Sequence, residues 1–331
     1  MSLTYRPNDD ALLASVYGVD PALLGAVMGP SQTSAVRLAN TLALRKAVTW
    51  AAANGHHVLI NGILECEIPT SGTNLVSYGS YSVGVTLPSG TTIRGADALS
   101  SRIAWFPDNT DLTIFFLIDA RAAQRKVQFI DFEMRAPPTV VASTLRTYSV
   151  YHIGATSSSY TDLVRNRGML YTGGAYSLFN SSFGNGTIEH LDTIFSGGFL
   201  GTECYGSDLA KFFHARNTKF TNSADHAVYI HPSISFNVEG CEFNTVGYYA
   251  WHNYGVSPTL APQYQIFRGN HVASTCTRGI ITGKLGEVLV EHNVFENGEI
   301  SMYGDARIIG NRFSGAGSAI NIAGGHSNHQ R

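Results

Sequence analysis

The chain predicts an all-β fold, a parallel β-helix closed at its amino-terminal end by an α-helix. Three observations carry this reading. A unit of apolar strand, polar corner and bulky anchor recurs through residues 186–324, with anchors at Phe195, Phe220, Phe243, Val272, Phe295 and Phe313, spaced by 25, 23, 29, 23 and 18 residues. Two or three positions before each anchor stands a small, acidic or amide residue: Asp192, Asn217, Gly240, Asn270, Asn293 or Asn311. Ahead of the repeat lies one strongly helical stretch, Leu42 to Ala53. A period near 20–25 residues is too short for a propeller blade and lacks the stripe of a helix-pair repeat. A leucine-rich repeat would need a Leu ladder, which is missing. Stacked coils of short strands bury one continuous core and fit the pattern.

The segments entering each corner resemble one another: Ile188 to Leu191, Phe212 to Ala215, Phe236 to Val238, Gln265 to Phe267, Val288 to Val290 and Arg307 to Ile309. The corner asparagines read as residues whose amides hydrogen-bond backbone. At 331 residues the chain has room for one long solenoid. Charged residues make up only 14% while Gly numbers 34, which suits tight corners and polar ladders rather than salt-bridged helices. A formal charge of −2 gives no basic field for nucleic acid or anionic lipid, and no apolar run reaches the ~18 residues of a membrane span. Cys66, Cys204, Cys241 and Cys276 lie far apart without metal-type pairing and read as buried thiols.

In chain order, Asp20-Pro21 opens a short helical piece as N-cap and first-turn pair. Asn40-Thr41 then precede the amphipathic helix, with Leu44, Val48 and Ala51 or Ala52 on one face, and Asn54-Gly55 close it. His57 to Ile60 is a first strand, and Val85 to Gly95 gives two strands around Pro88-Ser89-Gly90. Val127 to Met134 forms an early coil. Residues 137–160 and Tyr254–Tyr264 read as long loops, the segments where binding usually resides. The domain division is 1–40 as a helical or extended segment, 41–324 as the β-helix with its capping helix at 41–53, and 325–331 as a frayed tail.

Leu24-Gly-Ala-Val, Asn40-Thr-x-Ala-Leu-Arg-Lys-Ala-Val, Ala53-Asn-Gly-x-x-Val-Leu-Ile and Gly62 resemble the opening of the pectate-lyase-like superfamily. Leu38-Ala39 and Asn61 depart from its usual acidic pair and proline. The resemblance covers about 45 residues plus the coil repeat behind them. It implies a right-handed β-helix whose helix plugs the open end, where backbone edges and apolar core would otherwise meet water. Polygalacturonase-like hydrolases of this fold carry Gly-His-Gly and Arg-x-Lys, which are missing, and an Asp-Asp pair, which occurs only as Asp9-Asp10 before the coils.

Candidate chemistry lies on the second strand of each coil. Stacking Thr202-Glu-Cys, Val228-Tyr-Ile, Ala250-Trp-His, Ile280-Ile-Thr, Ser301-Met-Tyr and Ile320-Asn-Ile sends Glu203, Tyr229, Trp251, Ile281, Met302 and Asn321 outward. A second outward column holds Tyr205, His231, Asn253 and Gly283, with Lys284 just beyond, and His252 points inward. β-Elimination on a uronate needs a cation or amide on the carboxylate, a base for the C5 proton and an acid for the departing O4. Tyr229 and His231 are the expected proton-transfer pair, Lys284 or Arg278 the carboxylate ligand, and Glu203, Tyr205, Trp251, Asn253 and Tyr254 the substrate-binding surface. The alternatives are a hydrolase pairing Glu203 with Asp208 or Asp225, or a non-catalytic glycan-binding β-helix of phage-tail or adhesin type. Asp225-His226 with His231 lacks a recognised metal spacing, and no acidic cluster suits calcium. No cofactor is expected. The expected partner is a polysaccharide, with no nucleic acid or membrane. A homo-oligomer such as a trimer is expected, in an extracellular or virion-associated setting without a visible signal peptide.

Overall fold

A computed structural model describes residues 18–69, 71–107, 112–119, 124–137, 146–153, 160–182, 185–204, 211–253, 262–282, 287–296, 299–303, 305–315 and 319–322. Each coil contributes one strand to each of three sheets. Sheet A starts with His57–Ile60 and holds ten strands, sheet B starts with Ile63–Ile68 and holds ten, and sheet C starts with Ser77–Tyr78 and holds eleven. Ser77–Tyr78 pairs antiparallel with Tyr81–Thr86, and the other strand pairs are parallel between successive coils. The fold is the right-handed parallel β-helix expected from the sequence.

The anchors stack where the repeat places them. Phe195, Phe220, Phe243, Val272, Phe295 and Phe313 are successive Cα partners in sheet B. Tyr171 extends the column, with ring centroids 4.8 Å from Phe195, and Phe195, Phe220 and Phe243 follow at 5.2 Å with planes within 10°. That spacing is near the inter-strand distance, so each ring lies flat on the next. All are fully buried except Phe313, which is half-buried on the last coil.

The corner between sheets A and B explains the amide pattern. Asp192, Asn217, Gly240, Gly269, His292 and Gly310 adopt left-handed backbone at φ 50–62°. In the later coils the next residue is an asparagine, buried at Asn270 and Asn293 and half-buried at Asn311, that forms a ladder. Asn270 Oδ1 accepts from Cys241 N at 2.8 Å, Asn293 Oδ1 from Asn270 N at 2.8 Å, and Asn311 Oδ1 from Asn293 N at 2.9 Å. Their Nδ2 groups donate to the carbonyls of Val238, Phe267 and Val290. A corner leaves backbone groups outside the strand ladders, and the amides satisfy them.

The capping helix runs Ser34–Asn54, seven residues longer at its start than expected. Thr33 is its N-cap and Gly55, at φ 69°, its C-cap. Asn40 and Thr41 are therefore not cap residues. Both are fully buried, and they donate to the carbonyls of Glu65 and Glu67 at 2.8 Å, tying the helix to the first coil. Ala43, Leu44, Ala47, Val48 and Ala51 face the core. Arg45 reaches past the helix to donate to the carbonyls of Gly84, Val83 and Asn74, covering backbone at that end. Before the helix, Asp20 Oδ1 accepts from Ala22 N and caps the short turn Pro21–Leu24.

The expected loop over 137–160 is corrected in part. Arg146–Ile153 is a sheet C strand, because alternating aromatic and β-branched residues pair with Leu112–Asp119 and Ser177–Ser182. Tyr160–Arg167 follows in sheet A. Residues 138–145, 154–159 and 254–261, and the expected 325–331 tail, lie outside the described residues, as does the segment before Gly18.

Candidate functional site

The outer face of sheet C carries one continuous column of Cα partners: Leu117, Tyr151, Asn180, Glu203, Tyr229, His252, Ile281 and Ser301. Four of the expected placements are corrected by this register. Trp251 pairs with Val228 and Ile280, not with Tyr229. It is fully buried among Phe213, Phe236 and Phe267, with centroids 4.8–5.9 Å away. His252, expected inside, stands outside against Tyr229. Asn253 pairs with Ile230, is fully buried, and donates to the His231 carbonyl at 3.3 Å. The same one-residue slip recurs two coils on, where Ser301 rather than Met302 pairs with Ile281, and Met302 is buried. The physical reason is size. An indole displaces far more water than the alanine before it, so burial of Trp251 sets the phase of the strand.

The rows of the site are built by strand ends and the corner between sheets B and C. Asp225 and His226 sit in that corner, just before the Val228–Ile230 strand. His226 Nδ1 lies 2.9 Å from Asp225 Oδ2, and His226 Nε2 lies 2.5 Å from His252 Nδ1. The His252 and Tyr229 rings meet edge-on at 4.6 Å. On the two preceding coils, Asn180 Nδ2 donates to Glu203 Oε2 beneath Tyr229, and Glu203 is only 2% exposed. Tyr248 and Tyr249 close the other side, with His226 edge-on to Tyr248 at 5.2 Å. Arg278 donates to the Tyr249 hydroxyl at 2.9 Å and lies over both tyrosine rings at 4.8 and 5.3 Å.

Neutral imidazoles can make both contacts of this chain in one way. His226 Nδ1 makes no hydrogen bond among the described residues, but the Asp225 charge 2.9 Å away favours the proton on Nδ1 and leaves Nε2 to accept. His252 must then donate from Nδ1, which puts its lone pair on Nε2. Burial, followed by the like charge of His226, lowers the His252 pKa to about 3, against the pull of Asp225. The ring is therefore neutral at ordinary pH. Tyr229 moves the other way: burial first, and the Glu203 charge second, raise its pKa and keep the phenol protonated. The same two causes raise Tyr148 and Tyr176. A neutral acceptor and a protonated donor thus stand side by side.

Along the axis the site continues into an aromatic apron. Tyr148 packs against Tyr151, Tyr81 and Tyr176 at 4.7–5.9 Å, Tyr176 stacks on Phe199 at 5.5 Å, and Arg146 lies over Tyr176.

Of the residues expected from sequence, Glu203, Tyr229 and Arg278 come together here. His231 is half-buried at the end of its strand, and its Nδ1 lies 2.9 Å from Ser233 Oγ, turned to its own loop. Tyr205, Asp208, Tyr254 and Lys284 lie outside the described residues. Among the described residues no group of three or more His, Cys, Asp or Glu is placed to hold a metal ion. No helix there is long and apolar enough to cross a membrane. Sequence reasoning missed His252, Asn180, Tyr148, Tyr176 and Tyr249. The signal for His252 was present in the bulk of its neighbour Trp251.

No protein-family model matches the chain, and no curated protein does. Solved structures do. The enzymatically active domain of tailspike protein 2 of bacteriophage CBA120 superposes with a TM-score of 0.52 at 12% identity, over 94% of this chain and 46% of that one. The tailspike protein of Acinetobacter phage vB_ApiP_P1 gives 0.48 at 14% identity, over 95% and 64%. The mannuronan C-5 epimerase AlgE4 A-module of Azotobacter vinelandii gives 0.45 at 12% identity, over 94% and 100%. The chain spans 35% of the full-length CBA120 tailspike chain and less than half of its active domain. At these identities the likeness is one of fold, the right-handed parallel β-helix.

Proposed function

We propose that the chain is a carbohydrate-active enzyme that cleaves an acidic polysaccharide by β-elimination at the Tyr229–His252 cleft. The observation that carries this reading is the Asp225–His226–His252 chain ending beside a protonated Tyr229, with the Arg278 guanidinium at the rim. Elimination asks for these three kinds of group. His252 Nε2 takes the proton from C5 of a uronate residue. The C4–O4 bond breaks as the C4–C5 double bond forms, and Tyr229 protonates the departing O4. Arg278 pairs with the carboxylate, which makes the C5 proton more acidic. The imidazolium that forms is stabilised through His226 by Asp225. The half-buried Tyr81, Tyr151 and Tyr176 packed around the buried Tyr148 supply apolar faces for neighbouring sugar rings. Fold likeness to the enzymatically active domain of a phage tailspike agrees with an enzyme in a virion or extracellular setting. A homotrimer is part of this reading and is read out by the mass of the assembly in solution.

Hydrolysis is the second reading, favoured by two carboxylates near Tyr229: Glu203, its Cα partner, and Asp225 in the preceding corner. The test is digestion of a panel of acidic polysaccharides, followed for the ultraviolet absorbance of an unsaturated uronate and for new reducing ends. Absorbance with reducing ends is the expected result. Reducing ends alone transfer the reading to hydrolysis. Binding with neither product removes catalysis altogether.

A further inference from the structure

Sheet A carries a second feature, on strands that do not contribute to the Tyr229–His252 cleft. One outward column runs Arg165, Glu189, His214, Asn237, and beside it Leu191, Arg216 and Glu239 are successive Cα partners. Together they line a cleft of about 310 Å³, at the low end of the roughly 300–1,000 Å³ usual for small-molecule sites. One wall is lined by two hydrogen-bonded pairs joined by a longer carboxylate–imidazole contact. Arg165 Nε donates to Glu189 Oε2 at 2.7 Å, Glu189 Oε1 lies 4.0 Å from His214 Nδ1, and His214 Nε2 lies 2.7 Å from the Tyr264 hydroxyl. The Tyr264 ring stacks on Phe212 at 5.9 Å. Its backbone is pinned as well: Tyr264 O accepts from Phe236 N at 3.0 Å, and Ser235 Oγ accepts from Gln263 N at 2.8 Å.

We infer that this cleft is a separate carbohydrate subsite, built for an uncharged pyranose residue. Beside that wall, Arg216 and Glu239 in the second column and Asn237 at the end of the first offer side chains with no hydrogen-bond or ion-pair partner among the described residues. A guanidinium, an amide and a carboxylate supply donors and acceptors in one place, matching sugar hydroxyls that do both. The Phe212–Tyr264 pair stands at the edge as a rigid apolar face. Charge selects against ions: two arginines are balanced by two glutamates, and burial lowers the His214 pKa against the pull of Glu189. A carboxylate ligand would meet Glu189 and Glu239. A neutral ring meets no such cost. The site stands on a different sheet from the elimination cleft and does not depend on that chemistry.

The test titrates the full chain with methyl glucoside, methyl galactoside and methyl mannoside, and with galacturonate as the charged comparison, followed by saturation-transfer NMR. A neutral glycoside is expected to bind with a Kd in the millimolar range. Asn237→Ala and Arg216→Ala should each weaken it roughly tenfold, with unchanged melting temperature because both side chains lie at the surface. Tyr229→Phe should bind like the parent protein. The inference is overturned if no neutral glycoside binds, if galacturonate binds as tightly, or if both surface variants bind undiminished.

Discussion

His252 is the Cα partner of Tyr229 on the neighbouring coil, and their rings meet edge-on with centroids 4.6 Å apart. That pairing exists because Trp251 turns into the core. Side chains alternate along a strand, so moving the indole inward moves the imidazole outward. A packing decision thus sets the composition of the candidate site. Direct exchange of Tyr229→Phe and His252→Ala should each lower turnover roughly 10²–10⁴-fold, the usual contribution of a general acid or base, with melting temperature little changed. His231→Ala should leave turnover near the parent value, since that ring is engaged with Ser233. Activity kept in both site variants and lost in His231→Ala would move the chemistry to the strand end.

Trp251 should behave as a core residue. Its ring is fully buried against three phenylalanines. Trp251→Ala is expected to cost about 3–5 kcal/mol of stability, as is Phe220→Ala in the stacked column. Urea unfolding of both variants checks this. An unchanged midpoint for Trp251→Ala, with weakened glycan binding, would restore it to the surface.

Much of the fold was legible because the anchor recurs once per coil and the corner after each sheet A strand needs left-handed backbone, followed in the later coils by an amide that bonds the backbone. Phe195 through Phe313 and Asn270, Asn293 and Asn311 are direct consequences of that geometry. The phase of sheet C was not legible in the same way. Its strands are short, and polar residues such as Thr202 and Asn253 face inward alongside Val228 and Ile230, so alternation alone is ambiguous. The start of the capping helix was hidden for a related reason. Asn40 and Thr41 have the residue types of an N-cap, yet their polar groups serve tertiary bonds to the Glu65 and Glu67 carbonyls.

The four cysteines should be inert while the chain is folded. Burial raises the thiol pKa of Cys66, Cys204 and Cys241 to about 12, and that of Cys276 to about 11. Thiolate is the reactive form, so a thiol reagent at neutral pH should label none of them until denaturant is added. Rapid labelling of one cysteine in the native protein would show that its coil opens.

Acid should destabilise the fold through two interior histidines. His152 lies 2.8 Å from Ser181 Oγ and 2.9 Å from Thr161 Oγ1, and His190 lies 2.9 Å from Asn166 Nδ2 among three phenylalanines. Burial lowers both pKa values to about 3, with Lys211 adding to the effect on His152. The unfolded chain takes up these protons near pH 6.5, while the native chain refuses them until near 3. Stability is therefore complete above about 6.5 and falls as pH drops below it. Between pH 7 and 5 each histidine removes about 2 kcal/mol. A urea midpoint that stays level from pH 7 to 5 would contradict the buried neutral state.

Asp225 offers the sharpest test of the proton chain, because it acts without touching the reacting atoms. Its charge, 2.9 Å from His226 Nδ1 without a hydrogen bond, favours the proton there and thereby places the His252 lone pair on Nε2, the atom argued to take the C5 proton. In Asp225→Asn the new amide can donate instead. His226 would then hold its proton on Nε2 and donate to His252 Nδ1, and the His252 proton would shift to Nε2, the wrong position for a base. The variant also removes the charge that stabilises the imidazolium. Turnover should fall by roughly 10²–10⁴-fold, with KM and melting temperature near the parent values, since Asp225 is half-exposed and binds no core group. A loss confined to KM would make Asp225 a substrate contact. Full activity would break the link between the carboxylate and His252, leaving Tyr229 and Glu203 as the groups around which to rebuild the mechanism.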